Sequence, residues 1–116
     1  MLNLRPIVRA ILKDYALPWH GTHGVAHWAR VLENGLRLAD ATGAKVEVVQ
    51  LFAVFHDSRR VNECTDYCHG QRGAELAAML RGTRFDLPDA DFALLHEACA
   101  DHTDGLTEAD GQGAVV

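Results

Sequence analysis

The run Val46-Glu47-Val48-Val49-Gln50-Leu51-Phe52-Ala53-Val54-Phe55 leads directly into the pair His56-Asp57. That junction limits what the chain can fold into. A segment apolar on nearly every side belongs in an interior. A histidine and an aspartate at its end cost free energy unless they are paired or coordinate a metal. The β-branched residues Val46, Val48 and Val49 would also suit a strand, but no alternation and no partner strand accompany them. A central helix from about Ala44 to His56 is the expectation.

The rest of the chain reads as helices around that element. Leu4, Ile7, Val8, Ile11, Leu12 and Tyr15 recur at three and four, the spacing of one helical face, and Pro18 ends that segment. Trp19-His20-Gly21-Thr22 reads as a turn with Thr22 as N-cap. Val25, Trp28, Val31, Leu32, Leu36 and Leu38 then mark a long helix, with His27 in its second turn, that stops near Gly43. Residues 58–68 are polar without an apolar period, which predicts a loop lying across the His-Asp pair. Ala74, Leu76, Ala77, Met79 and Leu80 restore the helical pattern between His69 and Arg81, Gly82 closes it, and Pro88 fits the first turn of a last helix running to about His102. The predicted fold is all-α, a single-domain bundle of about five helices.

Composition excludes several function classes. The chain has 116 residues, enough for one domain with one modest core, and its formal charge of -5 carries no footprint for nucleic acid or an anionic membrane. No stretch approaches the roughly 20 apolar residues of a membrane span. Arg5, Arg9, Lys13 and Asp14 interrupt the N-terminal segment, so it does not read as a signal peptide. Three cysteines, Cys64, Cys68 and Cys99, are too few for a disulfide scaffold and suit a reducing, cytoplasmic setting. Cys64-x3-Cys68-His69 lacks the second ligand pair of a structural zinc site, so the thiols read as free. Cys99, Trp19, Trp28, Phe52 and Phe55 read as core. Arg59, Arg60, Arg72, Arg81 and Arg84 gather locally on this acidic chain and point to an anionic small molecule.

Seven histidines are more than ordinary usage supplies. His27, His56, Asp57, His69 and His102 all fall at or near predicted helix ends, where several helices can aim ligands at one centre, as helical bundles do in building metal sites. His23 and His27 have the i, i+4 spacing of helical zinc proteases but lack the glutamate that would serve as base, so His20 and His23 read as rim residues.

His27-Trp28-Ala29-Arg30-Val31 followed by His56-Asp57 resembles the HD superfamily of metal-dependent phosphohydrolases. His69-Gly70-Gln71-Arg72-Gly73-Ala74 is similar to the third histidine motif of members holding two metals, and His102-Thr103-Asp104-Gly105 to their later histidine segment. The resemblance covers most of the chain and implies an all-helical fold. It also implies a divalent ion (iron, manganese, nickel, zinc or magnesium) on His27, His56 and Asp57, with a second ion on His69 and His102. The implied activity is hydrolysis of a phosphate ester in a nucleotide or another small phosphorylated metabolite. Asp57 then serves both as ligand and in catalysis. Arg60 and Arg72, together with Arg59, are the expected phosphate contacts, and Glu63 and Asp66 either act as acid or base or pair with those arginines.

One departure from the family pattern bears on activity. The family's final aspartate lies beyond the last histidine segment, and Asp101, Asp104 and Asp110 do not stand in a matching context. Residues 1–116 therefore read as an HD-like domain lacking its C-terminal helices. Its exposed apolar face predicts self-association. The alternative function is a non-catalytic HD-like domain that binds a metal or a nucleotide.

Overall fold

A computed structural model describes residues 1–102. Five helices follow one another in chain order: α1 (Arg5–Lys13), α2 (Val25–Thr42), α3 (Val46–Phe55), α4 (His69–Leu80) and α5 (Asp89–His102). No β-strand forms among the described residues. A lone bridge between Arg81 and Phe85 closes the turn after α4, where Gly82 takes a φ of 90°. The all-α expectation holds.

α3 is the hub and packs against each of the other four helices. Every residue from Gln50 to Asp57 is buried, so the apolar run occupies the interior all the way round. Its one buried amide, Gln50, is satisfied by backbone: it accepts from the Leu2 N–H at 2.9 Å and donates to the Leu2 carbonyl at 3.1 Å, tying the N-terminus to the hub. α1 lays Ile7 and Ile11, four residues apart and each 1% exposed, on the same core. Trp28, Phe85, Leu87, Leu95 and Cys99 complete it. Phe55 and Phe85 meet at 5.7 Å between ring centres.

Several local expectations need correction. Thr22 does not cap α2; the N-cap is Gly24, and Val25 N–H donates to the Trp19 carbonyl at 2.9 Å. The backbone approach is so close there that a Cβ on Gly24 would lie 2.0 Å from that carbonyl oxygen, which is why the position excludes a hydroxyl-bearing cap. Helix 2 therefore starts at Val25 and His27 falls in its first turn, not its second. At its far end Gly43 adopts the left-handed conformation, φ 77°, and its N–H caps the Ala39 carbonyl. α3 starts at Val46 rather than Ala44. Trp19 is half-exposed rather than core, because its backbone, not its ring, does the structural work. The expected C-terminal tail lies outside the described residues.

Two packing choices position the site. α4 turns His69, Gly70, Gly73, Ala74, Leu76 and Ala77 inward, a stripe of small residues that lets it approach the end of α3. A Cβ on Gly73 would stand 2.3 Å from the Phe55 carbonyl oxygen. On α5 the buried residues Leu95 and Cys99 lie on the stripe that His102 continues, at i, i+4 and i+7. Gly73→Ala is expected to lower stability by about 1–3 kcal/mol through overpacking against backbone, read by denaturant unfolding monitored with circular dichroism.

Candidate metal centre

The ends of α2, α3, α4 and α5 converge on one carboxylate. Asp57 is 1% exposed, and its two oxygens face two sets of imidazoles. Oδ2 lies 3.1 Å from His27 Nε2 and 3.3 Å from His56 Nε2, while those two nitrogens are 3.2 Å apart. Oδ1 lies 3.2 Å from His69 Nε2 and 3.6 Å from His102 Nε2, with the two nitrogens 2.8 Å apart. Each set groups donor atoms closely enough to hold a metal ion. All five residues expected as ligands from the sequence are thus brought together.

The spacing in the first set suits an ion. A metal about 2.1 Å from nitrogen and oxygen donors separates neighbouring ligands by about 3.0 Å in an octahedron and about 3.4 Å in a tetrahedron. The edges of 3.1, 3.2 and 3.3 Å fall between those values and describe one face of a coordination shell.

Hydrogen bonding orients the rings for this task. His56 Nδ1 sits 3.0 Å from the carbonyl oxygens of both Phe52 and Ala53, which can only accept, so Nδ1 carries the proton. In the neutral ring that leaves the Nε2 lone pair aimed at Asp57 Oδ2, acceptor against acceptor. Among the described residues, a single N–H from His27 is what the protein offers to both atoms, whereas an ion would serve all three donors at once. His69 is held the same way, with Nδ1–H given to the Asp66 carbonyl. Such carbonyl partners commonly fix the tautomer of a metal-binding histidine.

The electrostatics are those of a buried anion under heavy compensation. Burial opposes ionisation of Asp57, but the imidazoles of His102, His27, His56 and His69 around it outweigh that and hold its carboxyl far below the usual range. Burial lowers the His102 pKa; Asp57 acts to raise it, and neighbouring His56 and His69 to lower it. On the core side of the same helix, burial pushes the Cys99 thiol up, with Asp57 adding to the effect, which makes it an inert packing group.

The arginines sit differently from one another. Arg60 is 5% exposed, and its Nη1 lies 3.0 Å from His69 Nε2 and 3.5 Å from Asp57 Oδ1. Arg72 is forked onto Asp66 by Nη2, at 2.6 and 2.7 Å, and donates through Nε to the Arg59 carbonyl. Burial works against charge on Asp66, but the Val61 N–H and that fork hold its carboxyl below the ordinary range. Arg59, Arg60 and Arg72 share a cleft of about 170 Å³ with Asp14, Ala16, Ser58 and Val61. Arg81 lies apart, bound to Asp86, Asp89 and the Leu87 carbonyl and stacked over Phe92, so the sequence cluster of arginines is divided in space.

At the rim, His23 Nδ1 meets Glu63 Oε1 at 2.9 Å, and its ring stands edge-on to His27 with 5.7 Å between centres. The hydrogen bond from His23 keeps the Glu63 carboxyl below its usual range. Tyr15 and Trp28 both donate to the His23 carbonyl. Burial pushes the Tyr15 phenol up to about 12, with the charges of Glu63 and Asp57 adding to it. The pairing of His23 with Glu63, forty residues apart, carries no sequence signal, and His20 is exposed. Asp101 joins neither ligand set, and Asp104 and Asp110 lie outside the described residues.

Comparison with known protein families, with curated proteins and with solved structures finds no match. No helix among the described residues is long and apolar enough to cross a membrane. The protein is helical, and its buried and half-buried His/Asp groups could hold a metal ion. Zinc or manganese at about one hundred times its Kd is expected to stabilise the chain by about 2.7 kcal/mol, seen as a rise in Tm. His27→Ala, which removes the most exposed ligand of the first set, is expected to abolish most of that rise.

Proposed function

We propose that the protein is a metal-dependent phosphohydrolase acting on a nucleotide or another small phosphorylated metabolite, with its ion on His27, His56 and Asp57 Oδ2. The observation that carries the reading is the triangle of three donor atoms at 3.1 to 3.3 Å, with the His56 lone pair turned toward it by its bonds to Phe52 and Ala53. The HD-like arrangement of His27, the His56-Asp57 doublet, His69 and His102 supports the same reaction class. A divalent ion bound there supplies Lewis acidity toward a phosphoryl oxygen and lowers the pKa of the water it holds.

The chain's own residues then do the positioning. Asp57 and the imidazoles of His27 and His56 would hold the ion, and the substrate's phosphoryl group would have to approach it from outside that triangle. Arg59, on the wall of the arginine cleft beside Arg72, is the contact we assign to the anionic group, since Arg60 and Arg72 already bond to protein partners. The imidazole of His23, oriented by Glu63, stands beside His27 as a hydrogen-bonding group at the mouth.

A second reading, a non-catalytic metal- or nucleotide-binding domain, is favoured by one feature: Asp57 is the single carboxylate in either ligand set among the described residues. A panel of phosphate mono- and diesters assayed with added manganese, nickel, zinc or magnesium separates the two. Hydrolysis that depends on the ion and falls at least about 100-fold in Asp57→Asn is expected, in line with losses on removing groups that stabilise transition-state charge. Tight metal binding with no turnover on any ester would leave the non-catalytic reading.

A further inference from the structure

We propose that Arg60 takes the place of a second metal ion, so that the centre holds one ion, on His27, His56 and Asp57 Oδ2, and a fixed guanidinium beside His69, His102 and Asp57 Oδ1. The inference rests on the metal-binding part of the function proposed above and goes beyond it in assigning the two halves of the site different cations.

The two halves are alike in their ligands and differ in what lies against them. In both, a histidine whose Nδ1 proton is given to a backbone carbonyl aims its Nε2 lone pair at an Asp57 oxygen: His56 toward Oδ2, His69 toward Oδ1. Facing acceptors repel unless a donor or cation lies between them. On the Oδ1 side a cation is already part of the chain: Arg60 Nη1 lies over the His69 ring, 3.0 Å from Nε2 and 3.1 Å from Nδ1, and 3.5 Å from Asp57 Oδ1. No arginine or lysine among the described residues is paired with Oδ2.

Arg60 is anchored against leaving. Its Nη2 donates to the Cys64 carbonyl at 2.7 Å and its Nε to the Asn62 carbonyl at 3.2 Å, so all three guanidinium nitrogens are bonded. Both carbonyls belong to the loop that follows the His-Asp pair, which makes the arginine a strut between loop and centre. A buried guanidinium stays charged at any working pH.

Charge counting points the same way. Among the described residues Asp57 brings the only negative charge to either set, and with Arg60 in place its charge is already matched. One divalent ion leaves the buried cluster at +2. A second, bound by His69, His102 and Asp57 Oδ1, would raise it to +4 beside the Arg60 guanidinium, a strongly unfavourable accumulation in a medium of low dielectric.

The test is metal stoichiometry on the full chain, using manganese as probe, by elemental mass spectrometry after gel filtration and by electron paramagnetic resonance. One ion per chain is expected in the wild type, with the six-line spectrum of an isolated ion. His69→Ala should leave that count at one, and His56→Ala should abolish it. Arg60→Met, which keeps the length of the side chain without its charge, should bind two ions with an exchange-coupled spectrum. Arg60→Met/His69→Ala should return to one. Two ions in the wild type, or one ion in an Arg60→Met chain with a native circular dichroism spectrum, would overturn the assignment. Should Arg60→Met not fold, loss of the ion in His69→Ala would overturn it by itself. A folded wild type that takes up no ion would overturn the metal centre as a whole, an outcome distinct from finding two.

Discussion

The ionised carboxylate of Asp57, 1% exposed at the end of the central helix, is the constraint on which the rest of the structure depends. Removing a carboxylate from water costs several kcal/mol after relaxation, and attraction offsets this only where geometry is good and the remaining lone pairs are used. Here four imidazoles and one guanidinium close around it, drawn from α2, the end of α3, the loop after α3, α4 and α5. Each of those elements is tied to the others through one buried charge. The ring of ligands is therefore also a structural joint, and loss of Asp57 would leave Arg60 buried without that anion.

The fold delivers those side chains by ordinary packing. His102 continues the stripe of Leu95 and Cys99, so burying that face carries the imidazole to the centre. His69 heads the small-residue stripe of α4, and Gly73 lets that helix close on the Phe55 carbonyl just before the His-Asp pair. His27 enters with the first turn of α2, whose start is set by the contact between Gly24 and the Trp19 carbonyl. Helix ends hold the four histidines and the turn directly after α3 holds Asp57, so every ligand sits on or next to a helix terminus, which favours a centre with little reorganisation on binding.

Much of this was legible in the chain. The apolar run into His56-Asp57 announced a buried polar pair, and helical spacing placed five elements in order with errors confined to their ends. Thr22 failed as a cap because the chain closes on itself at Trp19, a contact between backbone groups that propensity does not report. Trp19 was misjudged for the same reason. The division of labour among the arginines was also invisible: Arg59, Arg60 and Arg72 look alike in sequence, yet Arg60 faces the centre, Arg72 is forked onto Asp66, and Arg81 turns to Asp86 and Asp89. Glu63 gave no hint of its bond to His23.

Local pattern by itself determined which segments are helical, which helix lies at the centre and which five residues are ligand-type groups at helix ends. Those properties follow from periodicity and from the cost of burying polar atoms, both of which act along the chain. Tertiary structure alone decided that Asp57 divides its two oxygens between two pairs of histidines, and that a guanidinium reaches one oxygen and not the other. That asymmetry depends on where a loop carbonyl at Cys64 and a helix end at His69 come to lie in space. Distances of 3 to 4 Å between residues from different helices are set by packing, and no spacing along the sequence encodes them.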